Sequence, residues 1–336
     1  MSKFFKYPSI TAQHIEEFID KIKNLPIANS PWVVTEKIHG SNTQLSYDGT
    51  EFKFGRRVDF IEDDKDMFNA KKVLEQYKGV LKEFYDTMYS RYGVSSVIMY
   101  GEVYGGSYPH PDVTPDRKAE RVNKGVFYAP SNHWACFDLA YTIDDERYFL
   151  SPVELIDWCT ANSVPYVPVL KFCKSFDEAL AYPNDLPSVV YRSHNLPELE
   201  DNIMEGTVIR PSENNAYIGF DRVIVKNKNE KYFERSRKLK VNIQIDVPEE
   251  VKKAIALVSE YITENRIRNV LSHYGKVSLD NKTFGLLQKE IYDDIMTDFN
   301  KEQTILNTLE KREVRDVNKY IQRTVACELS RILKGN

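Results

Sequence analysis

Alternating apolar and polar positions in the N-terminal part of the chain predict β-strands. The alternation runs from Thr43 to Tyr47, Asp48-Gly49 follows with the signal of a type I′ turn, and the alternation resumes through Phe52 and Phe54. This pattern predicts a β-hairpin. Apolar or β-branched runs predict further strands at 32–38, 97–104, 134–141, 207–210 and 222–226.

Helical spacing of apolar residues appears between these strands. Apolar residues recur every three or four positions over 64–90, and a shorter helix around Phe18 ends at Pro26. Residues 152–161 and 175–182 also read as short helices. The stretch 105–125 is rich in Pro, Gly and charged residues, and we expect a long exposed loop there.

The pattern changes near residue 240. Beyond Pro248 no segment reads as a strand, the apolar residues from Val251 to Ile262 fall on one helical face, and helical spacing continues over 283–298 and 302–333. We therefore predict an α+β fold. It comprises an N-terminal domain of antiparallel sheets with flanking helices (1–240), a linker (241–247) and a small all-α C-terminal domain (248–336).

Composition places the chain among ordinary globular proteins. Its 336 residues are 42% apolar, and no apolar run approaches the roughly 20 residues of a membrane span. The four cysteines form no Cys-x-x-Cys pair, and the N-terminus lacks an apolar signal core. We therefore expect a cytoplasmic protein with reduced thiols and, because no long heptad pattern is present, a monomer.

The net charge of −4 does not by itself indicate a nucleic-acid partner. Residues 221–240 nevertheless hold eight Lys or Arg and three acids, the strongest local imbalance in the chain. A local basic patch can carry nucleic-acid binding even where the charge of the whole protein averages out.

Candidate chemistry centres on Lys37, which ends an apolar strand and begins the sequence Lys37-Ile38-His39-Gly40. Nucleotidyl transferases hold in this way a lysine that becomes bonded to AMP or GMP. Such a lysine must lose its proton before it attacks, and nearby cations favour that loss. A second Lys-x-x-Gly sequence, Lys282 to Gly285, shows that the motif also arises by chance, so the residues downstream decide.

The residues downstream of Lys37 supply the other parts of such a reaction. Strand alternation puts Lys226 and Lys228 on one face, where they could neutralise a phosphate. Glu102 could accept a hydrogen bond from a ribose hydroxyl or hold a metal ion, and Glu205 suits Mg²⁺. Two more candidates are Phe137, which could stack on adenine, and Arg57, which could reach a phosphate.

Each of these residues also has an ordinary structural reading. A basic edge strand is usually solvated, a strand phenylalanine usually belongs to the core, and an arginine after a hairpin usually lies on the surface. Their order favours chemistry: Lys-x-x-Gly, Arg, Gly-Glu, Phe-Asp, Glu-Gly and Lys-x-Lys. Nothing comparable follows Lys282.

In this order of motifs the chain resembles the covalent nucleotidyl transferase superfamily and, within it, the phage-type RNA ligase 2 family of ATP-dependent, nick-sealing RNA ligases. The resemblance spans the whole chain. It rests on Lys6 to Ser9, Glu36 to Asn42, Arg56-Arg57, Tyr100 to Glu102, Phe137-Asp138, Glu205-Gly206 and Val225 to Asn229.

The resemblance implies a three-step reaction that uses ATP and Mg²⁺ or Mn²⁺. Lys37 would attack the α-phosphate of ATP, the AMP would pass to the 5′-phosphate of nicked duplex RNA or an RNA/DNA hybrid, and a 3′-OH would displace it. The C-terminal domain would grip the duplex.

The resemblance also implies a role for each matching residue. The implied catalytic residues are Lys37, Glu205, Lys226 and Lys228, with Glu205 and Glu102 as metal ligands and His39 and Asn42 contacting the RNA end or AMP. The implied nucleotide contacts are Glu36, Lys37, Ile38, Asn42, Arg57, Glu102, Phe137, Glu205, Lys226 and Lys228.

One departure from the family pattern is Arg210, where relatives usually have lysine before proline. Arginine keeps the charge but does not lose its proton, which argues against a proton-transfer role there.

Alternative functions stay open at this level. DNA ligases and mRNA capping enzymes share Lys-x-x-Gly but normally carry an OB domain where this chain has helices. The residues show no feature that reads a 2′-hydroxyl, so a DNA ligase or another polynucleotide ligase is not excluded. A non-catalytic RNA-binding protein on the same fold is a further alternative, and the intact Lys37 with its downstream acids and lysines argues against it.

Overall fold

A computed structural model describes residues 3–62, 66–232, 247–274 and 281–334. The chain divides into two compact units, Met1–Asn229 and Glu230–Asn336. The predicted linker at 241–247, apart from its last residue, lies outside the described residues, as does 233–240 of the basic stretch. The exact domain boundary therefore stays a prediction.

The N-terminal unit is built mainly from β-strands. In chain order the strands are β1 (Thr11–Ala12), β2 (Trp32–Glu36), β3 (Ser41–Tyr47), β4 (Phe52–Arg56), β5 (Ser96–Ser107), β6 (Ala129–Ile143), β7 (Glu146–Phe149), β8 (Val169–Cys173), β9 (Gly206–Pro211), β10 (Tyr217–Ile218), β11 (Asp221–Arg222) and β12 (Val225–Lys228). Its α-helices are α1 (Glu16–Lys23), α2 (Ala70–Glu75), α3 (Lys78–Tyr92), α4 (Pro152–Ala161) and α5 (Phe176–Leu180).

The first sheet has the order β1-β12-β9-β2-β8, and only the β1–β12 pairing is parallel. Trp32, Val34, Ile209 and Val225 lie on one face and pack with apolar residues of α1 and α5. Because side chains alternate along a strand, the opposite face of β12 carries Lys226 and Lys228. The alternation predicted from the sequence for these two lysines is thus present.

The second sheet has the order β4-β3-β5-β6-β7 and is antiparallel throughout. Its core side packs against α2, α3 and α4 through residues such as Leu45, Leu81 and Leu155. The pairing of β5 with β6 shifts after Tyr100, where one extra residue, Phe137, is accommodated on β6. Such a bulge redirects the side chain that it carries.

The predicted hairpin is confirmed, but the predicted type I′ turn is wrong. Tyr47 pairs with Phe52, so four residues rather than two connect β3 and β4. The carboxylate of Asp48 accepts hydrogen bonds from the backbone N–H groups of Thr50 and Glu51, which stabilises the longer loop. Gly49 takes the left-handed conformation that the loop requires, with φ of +86°.

Three further sequence predictions need correction. The helical pattern over 64–90 forms two helices, α2 and α3, rather than one. The stretch 105–125 is not exposed throughout, because β5 continues to Ser107 and both Tyr108 and Val122 are buried. The predicted strand at 222–226 is divided between β11 and β12, which belong to different sheets. The other predicted strands and short helices of this unit are present, whereas β1, β7, β8 and β10 were not predicted.

The described part of the C-terminal unit contains helices and no strand, as predicted. The helices are α6 (Glu249–Ser259), α7 (Glu264–Ser272), α8 (Asn281–Glu302) and α9 (Lys311–Lys334). Fully buried apolar residues recur every four positions on α8, from Leu287 to Phe299, and on α9, from Val317 to Leu329. No helix in the described ranges is long and apolar enough to cross a membrane.

Candidate active site

The amine of Lys37 lies at a meeting point of three strand ends. Lys37 follows β2, and its Nζ donates a 2.7 Å hydrogen bond to Oε2 of Glu205, which precedes β9. Strand β9 pairs with both β2 and β12, so the end of β12 comes to the same place. There the Nζ of Lys228 lies 3.1 Å from Oε1 of Glu205. Each carboxylate oxygen therefore faces one lysine.

Glu205 is buried, with 2% of its surface exposed. Burial would raise the pKa of its carboxyl group, but the charges of Lys37, Lys228 and His39 lower that pKa to about 2. The Nδ1 atom of His39 lies 3.7 Å from Oε2. Glu205 is therefore ionised at neutral pH and surrounded by basic side chains.

Glu102, on β5, approaches the same segment from the second sheet. Its Oε1 accepts a 3.1 Å hydrogen bond from the backbone N–H of Gly40. Burial raises the pKa of Glu102 to about 7; the charge of Glu205 adds to this shift, while those of Lys37 and Arg57 oppose it. Arg57, just after β4, is thus close enough to act on Glu102.

Gly40 is required by the space around it. A Cβ atom at this position would lie 2.1 Å from the carbonyl oxygen of Val103 and 2.7 Å from Cγ of Glu102. The second Lys-x-x-Gly sequence ends at Gly285, which lies inside α8. An added Cβ there would meet no atom within 4 Å among the described residues. The two sequence copies therefore have different structures.

Several other predicted residues lie around the cluster formed by Lys37, Glu205 and Lys228. Lys226 lies opposite Val208 on β9, half-buried, on the same face as Lys228. Asn42 lies directly opposite Glu102 in the pairing of β3 with β5. Ile38 is buried next to Lys37. The structure thus brings together Lys37, His39, Asn42, Arg57, Glu102, Glu205, Lys226 and Lys228.

Glu36 is placed differently from these residues. It is 1% exposed, and its Oε2 accepts a 2.9 Å hydrogen bond from the backbone N–H of Val189. Burial raises the pKa of Glu36 to about 7, although hydrogen bonds from Ser188 and Val189 act to lower that pKa. The carboxyl group therefore anchors a neighbouring backbone segment, and its contact with a nucleotide stays a prediction.

Phe137 contacts a different part of the unit. Its ring is half-buried and packs against the ring of Tyr7, with 4.9 Å between the centroids and an interplanar angle of 68°. Its carbonyl oxygen accepts a 3.0 Å hydrogen bond from Arg210. Stacking of Phe137 on adenine stays a prediction.

A buried ionic network around Asp138 was not found from the sequence. Oδ2 of Asp138 accepts hydrogen bonds from Tyr7 (2.8 Å) and Arg222 (2.6 Å), and the guanidinium of Arg210 lies 3.3 Å away. Arg210 also donates to the hydroxyl of Tyr166, at 3.1 Å. A planar guanidinium can reach these partners at once, which accounts for arginine at 210 in structural terms. The sequence signal was an acid in the middle of an apolar strand.

The carboxylates of the cluster suit a magnesium ion that arrives with phosphate. No group of three or more His, Cys, Asp or Glu side chains within the described ranges is arranged to hold a metal alone. Mg²⁺ is commonly bound by one or two carboxylates together with substrate phosphates and water. Glu205 and Glu102 both lie near Lys37, and a metal site at these two acids stays a prediction.

Family comparisons agree with this architecture. Residues 30–228 match the family model described as RNA ligase. The chain therefore belongs to the RNA ligase family. Residues 245–327 match the model described as T4 RNA ligase 2 C-terminal, so the match is of the T4 RNA ligase 2 type and includes the helical unit.

Among curated proteins, the chain is similar to two mitochondrial enzymes of Trypanosoma brucei brucei. It is 24% identical to RNA-editing ligase 1 over 230 residues, which cover 58% of this chain and 48% of that protein. The match thus spans about half the length of that relative. The chain is 23% identical to RNA-editing ligase 2 over 395 aligned positions, which cover 99% of this chain and 93% of that protein.

Solved structures of Naegleria gruberi RNA ligase are also similar. The structure with PPi is 14% identical, with a TM-score of 0.44, and the match covers 69% of this chain and 57% of that one.

Proposed function

We propose that the protein is an ATP-dependent RNA ligase that carries AMP on Lys37. The observation that supports this most directly is the cluster in which Glu205 holds the amines of Lys37 and Lys228 at 2.7 and 3.1 Å. In this cluster a nucleophilic amine lies beside a second cation, and the ends of three paired strands fix the backbone around them. Membership of the RNA ligase family supports the same function.

The charge of the cluster suits a triphosphate. Lys226, Lys228 and Arg57 supply three cations besides the Lys37 amine. Of the two acids Glu205 and Glu102, Glu205 has a lowered pKa and Glu102 a raised one. Cations arranged around the α-phosphate would stabilise the charge that develops during transfer. Mg²⁺ held by Glu205 or Glu102 would add to this charge and shield the phosphates.

The proposed reaction has three steps. The unprotonated amine of Lys37 attacks the α-phosphorus of ATP; a P–N bond forms, the bond to the bridging oxygen breaks, and pyrophosphate leaves. The 5′-phosphate of an RNA strand then displaces the lysine and takes the AMP. A 3′-hydroxyl attacks that phosphate, joins the strands and releases AMP. We propose a nick in duplex RNA as the substrate.

One face of α9 supports an RNA partner for the helical unit. Lys311, Arg312, Arg315, Lys319 and Arg323 are all exposed on this face, which we call the α9 basic ridge. It extends over about 18 Å at 1.5 Å per residue. Within the described ranges, Lys319 is paired with Asp316 at 3.5 Å, and the other four have no carboxylate partner. A row of cations of this length complements a phosphate backbone.

Self-labelling with ATP tests the covalent step. The wild-type chain is incubated with α-³²P-labelled ATP and Mg²⁺ and then denatured. We expect a labelled protein that is lost in Lys37→Ala. The matched control is Lys282→Ala in the second Lys-x-x-Gly sequence, which should label like the wild type. A wild-type protein that never labels would refute the lysyl-AMP proposal and favour a non-catalytic RNA-binding protein.

A comparison of nicks tests the substrate. Sealing is measured on duplexes that differ only in the strand with the 3′-OH, which ends in ribonucleotides or is all DNA. We expect faster sealing with the ribonucleotide end. Equal sealing rates with the two 3′-OH strands would reject the RNA assignment and leave a general polynucleotide ligase.

A further inference from the structure

Side chains hold three polar backbone groups just after the proposed nucleophile. The N–H of His39 donates a 2.7 Å hydrogen bond to the hydroxyl of Tyr128, and the N–H of Gly40 donates to Glu102. The carbonyl oxygen of Gly40 accepts a 2.6 Å hydrogen bond from Nδ2 of Asn123. Two of the three partners thus come from residues 108–128, the β5–β6 loop.

The β5–β6 loop is itself held firmly. The ring of Tyr128 is 2% exposed and packs edge-on against the ring of Tyr104, with 5.5 Å between the centroids. The backbone of Glu120 exchanges two hydrogen bonds, of 2.8 and 2.7 Å, with the side-chain amide of Asn132 on β6. The loop therefore offers fixed partners to the His39–Gly40 segment.

The same loop is joined to the segment that leads to Glu205. Asn202, three residues before Glu205, is 5% exposed, and its amide makes two hydrogen bonds to the backbone of Phe127. Its Oδ1 accepts from the N–H at 2.8 Å, and its Nδ2 donates to the carbonyl oxygen at 2.7 Å. Phe127 directly precedes Tyr128. The loop thus connects the backbone beside Lys37 with the backbone beside Glu205.

We infer that Tyr128 and Asn123 are positioning residues for the transfer of AMP to Lys37. They act through the backbone of His39 and Gly40, which sets the direction of the Lys37 amine relative to Glu205. Misplacement of a reacting group by about 1 Å can cost roughly 100-fold in rate. This inference rests on the proposed function, because it concerns the geometry of the lysyl-AMP step.

Two tyrosine variants provide a matched test. Tyr128→Phe removes the hydroxyl that accepts from His39 and keeps the buried ring. Tyr104→Phe removes the hydroxyl of the neighbouring buried ring. That hydroxyl is hydrogen-bonded to Nε2 of His194, at 3.1 Å, and not to His39. The rate constant of self-labelling is measured in a single turnover over a range of ATP concentrations.

We expect Tyr128→Phe to lower the rate constant at saturating ATP about tenfold and to leave the half-saturating ATP concentration unchanged. Tyr104→Phe should label at the wild-type rate. A destabilised fold would lower the fraction of protein that labels, whereas a displaced amine lowers the rate constant, so the two effects are distinguishable.

Asn123→Ala provides a second variant, since Asn123 is half-buried and its loss leaves the ring packing intact. If thermal melting shows that Tyr128→Phe does not fold, Asn123→Ala decides: a comparable fall in rate constant supports the inference, and a wild-type rate rejects it. Wild-type labelling by Tyr128→Phe, or an equal loss in Tyr104→Phe, overturns it. A wild-type chain that never labels would instead refute the proposed function.

Discussion

Lys37 and Glu205 form a 2.7 Å ion pair although 168 residues separate them in the chain. The pair forms because β9 lies next to β2 in the first sheet, with Glu36 opposite Thr207. Glu205 also faces Lys228, so one carboxylate fixes two amines. The distance between the proposed nucleophile and its neighbouring cation therefore depends on the register of three strands.

Removal of Lys228 should slow the first chemical step. In Lys228→Ala, Glu205 keeps Lys37 as a partner but the proposed phosphate site loses a cation. We expect a fall in the self-labelling rate constant of about 100-fold, the usual effect of losing one group that stabilises developing charge. The control is Lys171→Ala, which removes a more exposed lysine paired with Glu178. Equal effects of the two changes would contradict a specific role for Lys228.

Substitution of Gly40 should distinguish the two Lys-x-x-Gly sequences. Gly40→Ala places a Cβ 2.1 Å from the carbonyl oxygen of Val103, so the backbone after Lys37 must move. We expect self-labelling to fall below detection. Gly285→Ala is the matched change, and because it replaces a helical glycine in open space it should stabilise α8 by about 0.5–1 kcal/mol. Gly40→Ala with normal labelling would show that this crowding is unimportant.

The buried carboxyl group of Glu36 should make stability depend on pH. Its pKa is about 7 in the folded protein against 4.5 for an ordinary glutamate. As pH rises from 4.5 to 7, the unfolded chain releases this proton and the folded chain retains it, so folding is progressively disfavoured. The cost reaches about 3 kcal/mol above pH 7.

In Glu36→Gln this cost should disappear. We expect the variant to match the wild type near pH 4.5 and to be more stable at pH 8. Urea unfolding followed by tryptophan fluorescence measures this, since Trp32, Trp134 and Trp158 all belong to the N-terminal unit. The exposed change Glu83→Gln serves as control. A stability difference between Glu36→Gln and the wild type that does not vary with pH would refute the raised pKa of Glu36.

Local pattern predicted the elements of the fold better than their pairing. Strand and helix periods identified the hairpin at Thr43 to Phe54 and the all-helical C-terminal unit, because each depends on neighbours in sequence. The order of motifs likewise selected Lys37 over Lys282. The strands β7 and β8 were missed because their short runs carry little alternation.

Contacts between distant segments could not be predicted from the sequence. Nothing near Asp138 indicates that Arg222, 84 residues away, would bind it, or that Asn123 would reach Gly40 across 83 residues. Both contacts join segments that only the folded chain brings together, and the sequence alone does not show which segments meet. The loop containing Asn123 was therefore expected to be exposed, since Pro, Gly and charge describe its composition and not its partners.

Arg210 should be hard to replace even by lysine. Its guanidinium reaches Asp138, the carbonyl oxygen of Phe137 and the hydroxyl of Tyr166, whereas an ammonium group lacks the planar fork. We expect Arg210→Lys to lower the free energy of unfolding of the N-terminal unit by about 2 kcal/mol, less than complete removal of a buried ionic partner. Tryptophan fluorescence in urea measures it, with the exposed Arg192→Lys as control. Unchanged stability would show that the charge alone suffices.

The α9 basic ridge should govern RNA affinity without affecting the covalent step. Each cation that neutralises a phosphate releases counterions, so its loss weakens binding and flattens the dependence on salt. The test replaces Arg312, Arg315 and Arg323 together with glutamine. The matched triple replaces Lys252, Lys253 and Arg268, which carry the same charge but are paired with Glu249, Glu250 and Glu264.

The ridge variant should bind a nicked RNA duplex more weakly, with a slope of log affinity against log salt that is smaller by about 2–3. Self-labelling with ATP should stay at the wild-type rate in both triples, because the cluster at Lys37 is untouched. The paired triple should keep most of its RNA affinity. Equal weakening by the two triples would mean that overall charge, rather than this face of α9, attracts the RNA, and unchanged binding by the ridge variant would place the RNA elsewhere.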